Sequence, residues 1–455
     1  MRHMFTSLNE TPCSFAERVV VQFAPMTTTP ADRPTRTRLV VVVWLCGLAG
    51  VLYLDRICMS QAALPIQKEF DLSDTQLGVV MMAFTLAYGL FEVPTGRLGD
   101  RIGARRVLTR IVVWWSLFTA LTGAAWGLTS LLVVRFLFGA GEAGAYPNAA
   151  RVLSRWFPAA ERGRVQGMMQ TSAFVGAMAA PPLAAYLIEL AGWRWVFVAF
   201  GLVGVAWAVG FWHWFRDDPS DHPRVNTAEA ELIRIGTGNP QPHALPIPWR
   251  AVARNPGIWL LGLTIVCSSF NSYFYYSWFP KYLMSARQVS NVQSGWFTAL
   301  VLAGSAVGVL TGGAIADRIL RSGRDVVRCR RLLGLVAYIL AATFLFAATM
   351  MDSATSMAGL AALSSLCVQL TLPTWWSSAI EQSGKHVGAL FGLLNMMGTA
   401  GAMASQGFVG TFSDWRKGLG YSGREQWDPM FDVYVGVLLV GAVAWAVYRK
   451  RPLDR

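Results

Sequence analysis

Twelve apolar runs, each near the roughly 20 residues that carry an α-helix across a bilayer core, dominate this sequence. They fall at about 38–61, 75–96, 107–126, 129–150, 164–188 and 193–215, then at 257–280, 293–316, 332–350, 354–378, 387–411 and 431–448. The expected fold is an all-α membrane protein of twelve transmembrane helices. Composition agrees: 54% of residues are hydrophobic and 14% charged, against about a quarter charged in soluble domains. The 19 Trp and 43 Gly suit a bilayer, Trp at its interfaces and Gly where helices pack closely.

The net charge of +13 would suit a nucleic-acid partner were it clustered, but its distribution points to a membrane. Segments on the N-terminal face hold 30 of the 39 Lys and Arg, the opposite face holds seven, and Arg56 and Arg135 lie inside spans. This asymmetry predicts an inner-membrane protein with both termini cytoplasmic. Residues 1–37 are polar and read as a disordered cytoplasmic tail rather than a cleaved signal peptide, with Met26 a second possible start. The six Cys and five His are scattered, so neither a disulfide framework nor a metal or cofactor site is expected.

The chain repeats itself. Gly96-Arg97-Leu98-Gly99-Asp100-Arg101 closes the second span, and Gly313-Ala314-Ile315-Ala316-Asp317-Arg318 closes the eighth, 217 positions later. Gly167 and Gln170 correspond to Gly392 and Asn395 at an offset of 225, and Pro147 to Pro373 at 226. Two duplicated six-helix bundles are expected, at 38–215 and 257–449, joined by a cytoplasmic linker at 216–256 rich in Pro and charge, with a short tail from 450.

The block from Gly96 to Arg106, with its degenerate copy after the eighth span, resembles the cytoplasmic signature of the major facilitator superfamily. Within it, Tyr53-Leu54-Asp55-Arg56 and the run Arg135 to Ala143 look like the anion:cation symporter family. That family includes bacterial galactonate, glucarate and hexuronate transporters and the animal sialic-acid and vesicular glutamate carriers. The resemblance implies two pseudo-symmetric bundles and proton-coupled symport of a small organic anion by alternating access. It also implies that Asp55 and Glu142 are the coupling acids and that Arg56 and Arg135 serve the anion.

The residues support that reading on their own terms. A charge inside a span costs about 2.5–3.5 kcal/mol on insertion scales and therefore needs a partner, a wet cavity or a task. Asp55 and Arg56 point about 100° apart on a helix, so they need not pair with each other. Either both snorkel to water at a mouth, or Asp55 carries a proton and Arg56 meets an anion. Arg135 and Glu142, seven apart, share a helix face at about 10 Å, too far for a direct pair, so each looks toward another helix. Arg135 offers the planar fork that grips a carboxylate, and Glu142 is a second proton site; a structural Arg–Glu network is the alternative.

Gln170 and Asn395 hold equivalent places, where their amides can bind a polyol or carboxylate or simply join helices. Tyr53 and Tyr88 are candidate cavity-lining residues, as are the neighbours Asn271, Tyr275, Tyr276 and Trp278. Glu92, before Pro94, reads as a contact to the 97–106 loop. Asp100, Arg101, Arg105 and Arg106, with Asp317 and Arg318 in the second copy, read as a gating latch; Arg105 and Arg106 can also meet anionic lipid.

Gly139-x-Gly141-x-x-Gly144 has the form of a dinucleotide fingerprint, but it lies inside a span with no βαβ unit. Close helix packing explains it better. Neither catalytic machinery nor a charged pore ring is visible, so a monomeric carrier using protons and contacting lipid is preferred over an enzyme or channel. Exchange of an organic anion for a phosphate ester, or export, is the alternative mode.

Overall fold

The computed structural model describes residues 33–237, 249–321, 325–383 and 386–450. The first bundle contains α1 (Thr37–Phe70), α2 (Asp74–Ile102), α3 (Ala104–Thr122), α4 (Leu128–Glu142), α5 (Ala145–Trp156), α6 (Ala159–Ala191) and α7 (Trp193–Trp214). Two short helices follow in the linker, α8 (Thr227–Thr237) and α9 (Trp249–Ala253). The second bundle contains α10 (Pro256–Ser277), α11 (Phe279–Ala286), α12 (Asn291–Arg321), α13 (Val326–Thr349), α14 (Ala354–Gln369), α15 (Leu372–Ser383), α16 (Val387–Gly418), α17 (Gly423–Trp427) and α18 (Met430–Val447). The proposed N-terminal tail up to residue 32 and the middle of the linker lie outside the described residues.

Three spans are interrupted where the sequence suggested single helices. The fourth breaks between α4 and α5 at Gly144, whose φ of +87° disfavours any side chain. The seventh breaks at Trp278, two residues before Pro280, and the tenth between α14 and α15, just ahead of Pro373. The first span runs further than its apolar core, to Phe70. Ten described helices or helix pairs are long and apolar enough to cross a membrane. The other two spans are α3, whose first two turns carry Arg105, Arg106 and Arg110, and α16, which carries Asn395, Thr399, Ser405 and Gln406. Large apolar side chains such as Val43, Leu90, Trp195, Leu202, Leu310 and Val443 are exposed on the outside, as a lipid-facing surface requires.

The bundles meet along two antiparallel seams, α2 against α16 and α6 against α12. Small residues permit the approach. A Cβ added at Gly78 would sit 2.8 Å from the Gln406 carbonyl oxygen, one at Gly410 2.3 Å from that of Asp74, and one at Gly295 2.9 Å from that of Pro181. All three contacts lie toward the face opposite the N-terminus of α1, here called the distal face. Toward the proximal face, a Cβ added at Gly167 or Gly392 meets nothing within 4 Å. The bundles are therefore closed together distally.

Candidate functional site

Six elements, α1, α2, α3, α4, α10 and α16, converge midway along the first bundle and its seam with the second. Asp55 and Arg56 sit in the middle of α1 and point apart, as their 100° separation requires. The Asp55 side chain is turned inward, 1% exposed, with Arg135 and Glu142 as its charged neighbours. The Trp115 indole lies alongside, yet neither its Nε1 nor either Asp55 oxygen completes a hydrogen bond. Snorkelling to a mouth is thereby ruled out for Asp55.

Arg56 faces the other way. Its Nε and Nη2 both donate to Glu142 Oε1, the former at 3.1 Å, forming an ion pair between α1 and the end of α4. Its guanidinium is caged by aromatic rings, with centroids at 5.4 Å for Tyr53, 5.2 Å for Phe84 and 4.9 Å for Tyr88. Glu142 is wholly buried, and its second oxygen, Oε2, has no partner. Its position follows from the sequence: α4 ends at Glu142 because Gly144 turns the chain. Gly144 is also pressed on Thr95, where a Cβ would come within 2.7 Å.

The remaining glycines of that run act similarly. A Cβ on Gly139 would lie 2.4 Å from the Phe84 carbonyl oxygen, and one on Gly141 would overlap the Trp114 ring. The fingerprint-like spacing is thus a packing device that brings α4 onto α2 and α3.

Arg135, two turns before Glu142, is 3% exposed and makes no ion pair or hydrogen bond with any described residue. Its guanidinium lies 4.5 Å from the Phe138 ring centroid and 5.3 Å from that of Phe84. It opens on a cavity of about 30 Å³, room for one or two water molecules, shared with Arg56, Tyr273, Tyr276, Ser277 and Gln406. The Asp55 and Glu142 carboxylates lie near enough to act on Arg135 but bond none of its N–H groups among the described residues, so its guanidinium fork has no direct partner, which is costly for a buried charge. An anionic ligand in that cavity would supply the missing partner.

Several residues escape sequence reasoning. Gln406 closes the cavity between bundles: its Oε1 accepts from Thr85 Oγ1 at 2.8 Å and its Nε2 donates to Ser277 Oγ at 3.0 Å. It stands eleven residues after Asn395, three helical turns along one face of α16, which is the signal that could have found it. Tyr273, beside the expected Tyr276, is another.

Glu92 corrects an expectation. Among the described residues its hydrogen bond comes not from the 97–106 loop but from Asn395 Nδ2, at 2.6 Å across the α2–α16 seam. Helical spacing explains this, since Glu92 lies one turn beyond Tyr88 on the face of α2 that looks toward the second bundle. Gln170, expected to match Asn395, is half-buried and makes no hydrogen bond with a described residue. Tyr275 and Trp278 are buried in an apolar cluster that runs across both bundles and do not line the cavity.

Arg105 stays within its own bundle, donating to the Trp212 carbonyl at 2.9 Å through Nε and stacking at 4.4 Å over the Trp212 ring. Its backbone N–H donates to Asp217. It therefore does not span the two halves, because the end of α7 lies nearer than the second bundle. Arg101, Arg106, Asp317 and Arg318 are exposed; the side chain of Asp100 lies outside what is described.

Fold and site together define a twelve-helix membrane carrier. The chain belongs to the Major Facilitator Superfamily, whose family model matches residues 45–406. It is a multi-pass membrane transporter and not an enzyme. It is 33% identical over 377 residues to a probable sulfoacetate transporter of Cupriavidus necator, covering 81% of this chain and 86% of that one. It is 30% identical over 422 residues to a chloroplastic ascorbate transporter of Arabidopsis thaliana, covering 90% and 74%. These relatives are consistent with the resemblance to the anion:cation symporters. In fold it matches a bacterial homolog of the human lysosomal transporter Spinster in an inward-facing, occupied conformation, with a TM-score of 0.73, 21% identity and coverage of 90% and 96%.

Proposed function

We propose that this protein is a proton-coupled symporter of a small organic anion, a sugar acid or other carboxylate, working by alternating access between the halves 38–215 and 257–449. The observation that carries the reading is Arg135, a buried cation whose guanidinium makes no direct ion pair with a described residue, facing the cavity between the bundles. The substrate carboxylate completes that pair through the guanidinium fork. Arg56, Tyr53, Tyr88 and Asn395 line its surroundings, and Gln170 is reached from α6. Asp55 and Glu142, whose buried oxygens Oδ1, Oδ2 and Oε2 lack partners, take up and release the proton that accompanies the anion. A proton entering with a monoanion leaves the electrical work unchanged, where an uncompensated charge would meet about 2.3 kcal/mol per 100 mV.

The protein works in the inner membrane as a monomer with its proximal face cytoplasmic, and Asp100, Arg101, Arg105, Arg106, Asp317 and Arg318 bias the access equilibrium from that face. The test uses purified protein in proteoliposomes, loaded neutral and diluted into acidic medium with sugar acids and other carboxylates. Substrate-dependent alkalinisation outside, together with accumulation that collapses on adding a protonophore, is expected. Anion uptake that requires a counter-anion inside and moves no proton would replace symport with exchange.

A further inference from the structure

Tyr146 carries a buried hydroxyl that bonds to nothing among the described residues. It follows Ala145 at the start of α5, on the far side of the Gly144 turn from Glu142. Its ring rests on a second cavity, about 10 Å³, walled by Leu48 and Leu52 of α1, Ala149 of α5 and Met169 of α6. That space holds at most one water, and with apolar walls it stays dry. A phenylalanine would fill such a place as well. Burying a hydroxyl unbonded costs about 1–3 kcal/mol, so packing does not account for it.

The surroundings of the hydroxyl are those of the ion pair. The groups close enough to act on it are Tyr53, Tyr88, Arg56 and Glu142. On Glu142, Oε1 is occupied by Arg56, so a proton carried there sits on Oε2, which is buried and unpaired. Because α4 runs from the distal to the proximal face and α5 continues it, Tyr146 lies on the proximal side of Glu142. With the distal seam closed, that is the direction in which a proton leaves. The apolar wall of α1, α5 and α6 bars water from reaching Glu142 along that seam. A phenol both donates and accepts, so it passes a proton on without keeping one.

We infer that Tyr146 relays the proton out of Glu142, its oxygen taking the proton from Oε2 as its own O–H proton passes to water on the proximal side. This rests on the proton-coupling reading above. One O–H bond breaks at Glu142 and one at Tyr146, while one forms at Tyr146 and one on the water. Glu142 is left as a carboxylate that Arg56 already holds, and Tyr146 ends as it began. The anion leaves by the cavity at Arg135, which Tyr146 does not line.

The experiment compares the full-length wild type with Tyr146→Phe in proteoliposomes, with D-galactonate and sulfoacetate as probes. Loss of the hydroxyl should slow pH-driven accumulation by about tenfold or more, as loss of a proton-transfer group does. Counterflow of the same anion, which requires no proton to leave, should keep its wild-type rate. Placing 3-fluorotyrosine at position 146 returns a hydroxyl on a ring of nearly the same size, and accumulation should return with it. A packing role would slow counterflow and accumulation together, which overturns the inference. Unchanged accumulation in Tyr146→Phe overturns it as well and leaves proton coupling standing. Accumulation of neither probe by the wild type, or of one without proton movement, overturns both readings.

Discussion

Lys281 on α11 donates to Asp74 at the start of α2, a buried ion pair that fastens the second bundle to the first at the distal face. Asp74 is fully engaged: Oδ1 also accepts from Gln67 Nε2 at 2.7 Å and Oδ2 from Ser413 Oγ at 2.6 Å. Asp414 caps the same helix start, accepting from the Asp74 and Thr75 backbone at 3.1 and 2.7 Å. The Trp278 and Trp427 rings flank the ammonium at 5.2 and 5.4 Å. Opening the distal face must pull this pair apart into water.

Removing one partner should therefore cost more than removing both. Lys281→Met leaves Asp74 buried and uncompensated, a loss of about 3–5 kcal/mol for the distally closed state. Cysteines placed along the distal seam should become markedly more reactive toward membrane-impermeant maleimide in Lys281→Met, and return toward wild-type protection in Lys281→Met with Asp74→Asn. Equal labelling in all three proteins would show that the pair does not hold the seam.

The acids should separate coupling from movement. Asp55→Asn and Glu142→Gln keep shape but cannot cycle a proton, so accumulation driven by a pH gradient should disappear. Counterflow, in which labelled anion enters against trapped unlabelled anion, should survive. Glu142→Gln has a further cost, because it turns the Arg56 ion pair into a weaker neutral contact. Normal pH-driven accumulation by both variants would remove these residues from the coupling scheme.

Much of this was legible in the chain. The twelve spans and the doubled signature at the ends of α2 and α12 are read directly, and the cost of intramembrane charge singles out Asp55, Arg135 and Glu142 while leaving a snorkelling Asp55 open. Helical arithmetic alone placed Asp55 and Arg56 on different faces and kept Arg135 from pairing with Glu142. Partner choice was not legible, since it depends on the register of seams between residues far apart: Glu92 with Asn395, Thr85 with Gln406, Asp74 with Lys281. Lys281 counted only as one of seven distal loop charges, although it is 1% exposed in the structure. The helix break at Gly144 escaped for another reason: hydropathy reads straight through a glycine.

Orientation can be read directly. A reporter fused near residue 235, on the linker helix α8, should lie on the cytoplasmic side, and one near residue 420, between α16 and α17, on the outside. Phosphatase activity at the linker position with none near residue 420 would invert the topology.

Arg135 and Arg56 offer a sharper test because the structure treats them differently. Arg56 already has a carboxylate, Glu142, so much of its fork is spent inside the protein. Arg135 has carboxylates nearby but is bonded directly to none among the described residues, and it faces the cavity. Arg135→Lys keeps the charge but loses the planar fork, and substrate affinity should fall by more than about tenfold, a loss above about 1.4 kcal/mol. Arg56→Lys should lose less binding and more coupling, because its first effect is on the Glu142 contact. Calorimetric affinity and proton-to-substrate stoichiometry, measured on both variants, separate the two roles. If Arg135→Lys binds as tightly as the wild type while Arg56→Lys loses its affinity, the anion's anchor is Arg56.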